Sequence, residues 1–268
     1  MAGAPTDEAP TGADPADDAL FAEWRRRREA QGPRVAVLEL YQLVADARGV
    51  APTALPLPER KALAARAMTV IWPGFEKVGR SWRRPVHLDE WQPEWGPRFE
   101  AWRRALAGAL GPTARRIDHV GSTAIEGLCA KPVVDVQVSV VDLADEDAYV
   151  PGCERVGLEL DSRDHEHRFL LTRDAAAPDV HVHVCEAGGA FERDHLLFRD
   201  YLRADATARA RYVAVKREAA ATWADDRMGY TYAKNGLIVE LLERAGGWAR
   251  STGWTVEGAP PDGPPSAR

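Results

Sequence analysis

Residues 116–140 read RIDHVGSTAIEGLCAKPVVDVQVSV. The string divides into a strand, a Gly-Ser turn, a short connector and a second strand. Ile117 and Val120 are apolar positions of the first strand. Gly121 permits a tight turn because it has no side chain to obstruct one. Ser122 and Thr123 suit the start of a helical turn. Free backbone N–H groups and a hydroxyl at such a turn make a site for an anion such as phosphate. Pro132, after Lys131, fits the beginning of a strand because it cannot donate to a ladder further in. Across 133–140, period two sends Val134, Val136, Val138 and Val140 to one face and Asp135, Gln137 and Ser139 to the other. The valine face is expected to be core. The opposite face carries a carboxylate near the turn.

Residues 179–185, DVHVHVC, repeat this pattern. Val180, Val182 and Val184 share one face, and Asp179, His181, His183 and Cys185 the other. Paired beside 133–140, this strand would bring its polar face next to Asp135.

Gly121-Ser122, twelve residues, then Asp135 resembles the nucleotidyltransferase-fold signature, in which a Gly-Gly or Gly-Ser turn precedes Asp-x-Asp or Asp-x-Glu on the next strand. His119, Gly121, Ser122, Thr123, Gly127, Lys131, Pro132 and Asp135 at these spacings closely resemble the GrpB family of that fold. The resemblance resumes in 85–110, with Trp91 and Trp95 before a helix. It continues in FRDYLR and the two Tyr-x3-Lys runs, Tyr212/Lys216 and Tyr230/Lys234. It spans roughly 85–247. Two positions depart from the pattern: Glu126 stands where the family usually has proline, and Gln137 where an active nucleotidyltransferase carries its second carboxylate. The implied fold is α/β, a nucleotidyltransferase-like mixed sheet flanked by helices.

The net charge of -6 argues against bulk nucleic-acid coating. Three widely spaced cysteines, Cys129, Cys153 and Cys185, contain no CxxC, which points to reduced structural thiols and a cytoplasmic setting. No apolar run approaches the roughly 20 residues of a membrane span. Residues 1–19 and 249–268 are read as disordered tails, since Ala, Pro, Gly and acids leave little to bury. Apolar spacing in 20–80 predicts a helical module of its own, whose Arg25–28 run reads as a solvated face. The GrpB-like part occupies 81–248. Trp95, Phe99 and Trp102 follow helical spacing and are expected in the core.

The resemblance implies a metal-assisted site for a nucleotide or other phosphorylated small molecule. Asp135 is the metal ligand and catalytic candidate. His181 and His183 are candidates for the place of the third carboxylate, as ligands or as a base, or else simply line a polar cleft. His119, Gly121, Ser122, Thr123 and Lys131 form the expected substrate loop. Arg199, Arg203, Lys216 and Lys234 are candidate phosphate partners. The alternatives are ion pairs of Arg199 and Arg203 with Asp200 and Asp194, and solvated helix positions for the two lysines. Mg²⁺, Mn²⁺ and Zn²⁺ are candidate cofactors. One aspartate with two histidines suits Zn²⁺, Mn²⁺ or Fe²⁺ better than Mg²⁺, which prefers oxygen. Nucleotidyl or acyl transfer is the expected activity. The alternative is a silent binding or accessory protein linked to coenzyme A metabolism, since GrpB-like domains occur beside dephospho-coenzyme A kinase domains.

Overall fold

The computed structural model describes residues 15–32, 36–72, 74–79, 85–174 and 180–257. The chain divides into two compact units between Ile71 and Trp72.

The first unit holds helices α1 (Pro15–Gln31), α2 (Val37–Arg48) and α3 (Leu57–Ile71). Trp24 is fully buried and donates its indole N–H to the Ala36 carbonyl at 2.9 Å. Arg60, 3% exposed, donates to the carbonyls of Thr53 and Leu55. Arg25 and Arg27 make exposed i,i+4 pairs with Glu29 and Glu23, as a solvated helix face does. Order begins earlier than residue 20. Asp17 and Asp18 lie in the first turn of α1, where the helix dipole favours acids, and pair with Arg48 and Arg66. Residues 1–14 of the expected tail lie outside the described residues.

The second unit is built on a six-stranded sheet in the order β1-β4-β5-β6-β3-β2. The strands are β1 (Glu76–Lys77), β2 (Ala114–Val120), β3 (Val134–Val140), β4 (Leu158–Arg163), β5 (His167–Thr172) and β6 (Val180–Glu186). All neighbours are antiparallel except β3 and β6, which run parallel. β1 accounts for the unit boundary at residue 72 rather than 80. Glu76 and Lys77 pair with Arg163 and Ser162, so this segment belongs to the sheet.

Helices α4 (Trp95–Leu110) and α5 (Val150–Arg155) cover the valine face. Seven valines of β3 and β6 are at most 1% exposed there, packed with Phe99, Leu106 and Leu110. Each such burial contributes about 1.5–3 kcal/mol. Trp95 and Phe99 are core, as their spacing predicted. The other helices are α6 (Ala190–Ala204), α7 (Ala206–Thr222), α8 (Arg227–Ala233) and α9 (Asn235–Thr252). Of these, α6, α7 and α9 share a second core of Leu197, Leu202, Tyr212 and Leu241 with Ile125 and Leu128 of the connector.

Order continues past residue 249, and residues 258–268 of the expected tail lie outside the described residues. α9 runs to Thr252 and stops at Gly253, whose φ of 72° makes a left-handed cap. Trp254 then donates to Asp200 at 3.0 Å, and Arg116 donates to the Val256 carbonyl. Lys234 separates α8 from α9. No described helix is long and apolar enough to cross a membrane.

Candidate functional site

β2 ends at Val120, opposite Asp135 of β3. Gly121 follows with φ 68° and ψ -167°, a conformation essentially reserved for glycine. A Cβ here would lie 2.2 Å from Asp135 Oδ2. Gly121 is therefore required twice, for its backbone angle and for the approach of the turn to the carboxylate. A 3-10 turn, Ser122–Ala124, comes next.

The parallel register pairs Asp135 with His181 and Gln137 with His183. Asp135 Oδ1 lies 3.1 Å from His181 Nδ1 and 3.6 Å from His183 Nε2. Arg227 Nη2 lies 3.2 Å from His181 Nε2. A guanidinium only donates, so Nε2 is the acceptor and Nδ1 carries the proton shared with Asp135. Desolvation in the cleft pushes the Asp135 carboxyl up, but the hydrogen bonds from His181 and His183 outweigh it and hold the group well below the usual carboxylate range. Desolvation also lowers His181, against the pull of Asp135. The consistent state at neutral pH is an ionised Asp135 beside a neutral His181.

One ligand atom from each of Asp135, His181 and His183 fits within 4.8 Å of the other two. One carboxylate oxygen and two imidazole nitrogens suit a single borderline divalent ion. They fit poorly with Mg²⁺, which takes oxygen ligands. Gln137 does not complete a second carboxylate site. It shares the polar face of Asp135, but it is fully buried and its amide N–H donates to the Glu192 carbonyl at 3.4 Å.

Cations surround this carboxylate. Lys131 and Lys234 lie over the Tyr230 ring at 5.4 and 4.2 Å. Lys216 lies 5.5 Å from the Tyr212 ring and is 1% exposed. The solvated-helix reading of Lys216 is thus corrected: α7 turns it inward. Among the described residues, neither Lys216 nor Lys234 has a carboxylate partner. Burial first, and then the neighbouring Lys234, push the Lys216 amine well below its usual range. Burial lowers Lys234 to about 8, with Asp135 opposing. Tyr212 reaches the half-buried Ser122 hydroxyl.

Other sequence candidates lie elsewhere. His119 and Thr123 are buried and bond to each other at 3.0 Å, with the imidazole stacked on Phe99. Arg199 forks onto Asp200 and donates to the His119 carbonyl. Arg203 donates to the Ala124 carbonyl and Asp200. These contacts tie α6 to the back of the Gly-Ser turn, and the ion-pair alternative with Asp200 describes them. Asp194 pairs with Arg193 instead.

Sequence reasoning missed Arg227, which the fold alone brings to His181. It also missed the rings around His183: Phe169, Phe191, His167 and His195. The three cysteines are buried free thiols, and burial holds Cys153 and Cys185 up at about 12. A cavity of about 670 Å³ opens at the other end of β2, lined by Arg116, Glu192, Arg250 and Trp254. None of the Asp135 cluster lines it.

A mixed sheet that sets a glycine turn against a strand aspartate defines a nucleotidyltransferase-like protein. The chain belongs to the GrpB family, whose description, GrpB protein, matches residues 85–244. A UPF0157 protein of Streptomyces coelicolor is 38% identical over 171 residues, covering 64% of this chain and 90% of that protein. A dephospho-CoA kinase of Mycolicibacterium paratuberculosis is 34% identical over 198 residues, covering 64% of this chain but 49% of that protein. The chain thus matches about half of the kinase's length. The crystal structure of conserved protein GrpB from Enterococcus faecalis superposes with a TM-score of 0.53 at 27% identity, covering 59% of this chain and 96% of that one.

Proposed function

We propose that the Asp135 cleft binds one divalent metal ion together with a nucleotide or another phosphorylated small molecule, as part of nucleotidyl or acyl transfer in the cytoplasm. The observation that carries this reading is the convergence of Asp135, His181 and His183 beside two lysines that have no bonded carboxylate among the described residues. Asp135, His181 and His183 would hold the metal, which when bound polarises phosphoryl oxygens. Lys131, Lys234 and Arg227 supply the positive charge a phosphate needs, and Ser122 adds a hydroxyl at the turn. The dephospho-CoA kinases among the relatives are named for a coenzyme A precursor, which is consistent with such a ligand.

A second reading is favoured by Gln137. A neutral amide cannot replace a carboxylate in balancing a second divalent charge. In that reading the cleft binds its ligand without turning it over, as an accessory protein. Both readings require binding, so binding is tested first. A thermal-shift panel of nucleotides, coenzyme A precursors and Zn²⁺, Mn²⁺ or Mg²⁺ should raise the melting temperature, because a ligand of the native state stabilises it. The shift should be greatest with metal and phosphorylated compound together. A flat panel would remove the proposal. Turnover of a stabilising compound would then separate the enzyme from the accessory protein.

A further inference from the structure

We propose that Lys216 is a nucleophile that condenses with the carbonyl of a phosphorylated aldehyde or ketone, forming an imine in the cleft. The phosphorylated half of this statement rests on the ligand reading above. The nucleophile half rests on Lys216 itself.

Lys216 is as buried as Arg199, each 1% exposed. Arg199 has a carboxylate forked against it. Among the described residues no carboxylate is bonded to Lys216: it lies 5.5 Å from the Tyr212 ring, and Asp135 and Cys129 act on it only through space, too weakly to offset burial. A buried ammonium without a counter-ion is costly, and a lysine reduces that cost by giving up its proton. The second cation, Lys234, acts in the same direction. Desolvation beside another cation is the arrangement that frees an amine lone pair near neutral pH. Tyr212 and Tyr230 complete the surroundings. Burial raises both phenols, so they remain protonated donors. Lys131, Lys234 and Arg227 are placed to hold the phosphate of the same ligand.

The step balances without a redox partner. The Lys216 lone pair attacks the carbonyl carbon, the C–N bond forms, and the C=O π pair moves to oxygen, which takes up a proton. The carbinolamine then loses that oxygen as water. The two hydrogens of that water are, in sum, the two that the neutral amine gives up, and the nitrogen lone pair closes the C=N bond.

The test uses the full chain with pyridoxal 5'-phosphate as the phosphorylated aldehyde, pyridoxal as its phosphate-free counterpart, and cyanoborohydride to reduce any imine to a stable amine. Peptide mapping locates the label. Lys216 should be labelled by pyridoxal 5'-phosphate at least about tenfold faster than lysines outside the cleft, the effect of one pK unit. Its rate should level off well below pH 10.4, the ordinary lysine value. Lys234→Gln removes the neighbouring charge, so it should move that rise to higher pH while the melting curve confirms a folded protein. A lysine that only fills space would show neither effect. Absence of label at Lys216, or labelling with ordinary lysine pH dependence, overturns the proposal. Equal labelling by pyridoxal supports the nucleophile and overturns the phosphate half. Metal titration of the unlabelled protein then decides whether the ligand reading of the cleft falls with it.

Discussion

The arginines of α6 and the lysines of α7 and α8–α9 are equally basic in sequence and have opposite fates in the fold. Arg199 and Arg203 are fully provided for by Asp200 and by the carbonyls of His119 and Ala124. They hold the turn. Lys216 and Lys234 lie within electrostatic reach of Asp135 and, among the described residues, meet tyrosine rings rather than bonded carboxylates. A buried cation whose partners are supplied by the chain serves the chain. One without a bonded carboxylate among the described residues is the candidate for a ligand in the proposed reading. The difference has opposite consequences for stability, and four substitutions probe it.

The largest effect is expected at Arg199. Arg199→Leu strips Asp200 of its forked guanidinium and leaves a buried carboxylate with fewer donors. Breaking such a pair costs about 3–5 kcal/mol. Urea unfolding should record a loss of that size. A loss under about 1 kcal/mol, as for surface pairs, would place Arg199 among the dispensable cations.

Gly121→Ala comes next. The added methyl meets Asp135 Oδ2 at 2.2 Å, at a φ that side chains avoid. A strained backbone of this kind costs on the order of 1–3 kcal/mol. Because the clash is with the carboxylate itself, metal affinity should fall with stability. A stable variant with unchanged metal affinity would show that the turn does not position Asp135.

Lys216→Met should have the reverse sign, a gain of about 1–2 kcal/mol at neutral pH from removing a buried amine that has no carboxylate bonded to it among the described residues, with loss of imine formation. Lys216 in the native state holds its proton less tightly than in the unfolded chain, so unfolding takes up protons between the two pKa values. Wild-type stability therefore rises with pH through the native pKa toward 10.4, where the unfolded amine titrates. The advantage of the variant should shrink over the same range. Melting curves at neutral and alkaline pH check both points.

The smallest effect belongs to Arg227. It donates to His181 Nε2 and so keeps the proton on Nδ1, the atom that faces Asp135. A metal that takes Nδ1 must displace that proton toward the guanidinium. Arg227→Gln should therefore tighten metal binding by about fivefold, one hydrogen bond of roughly 1 kcal/mol. Weaker binding would mean that Arg227 supports the bound state.

Much of the sheet was legible because period two needs no tertiary information. Val134 to Val140 and Val180 to Val184 fall into the core as their alternation requires, and the register sets Asp135 beside His181, with His183 two residues further on the same face. Period two gives the face but not the depth. Gln137 shares the face of Asp135 yet lies under α6, bonded to Glu192. Lys216 read as a solvated residue because its helix has no strong apolar stripe to reveal which side turns inward. Arg227 carries no local signal, since its role depends on where α8 starts. Asp226 sets that start by capping Met228 and Gly229.

The central claim is a single-ion site of mixed oxygen and nitrogen ligands at Asp135. Calorimetric titration of the wild type and Asp135→Asn with Zn²⁺, Mn²⁺ and Mg²⁺ tests it most directly. The wild type should bind one Zn²⁺ or Mn²⁺ per chain more tightly than Mg²⁺, and Asp135→Asn should abolish that binding. Two Mg²⁺ ions per chain, or equal affinity in the two proteins, would contradict it.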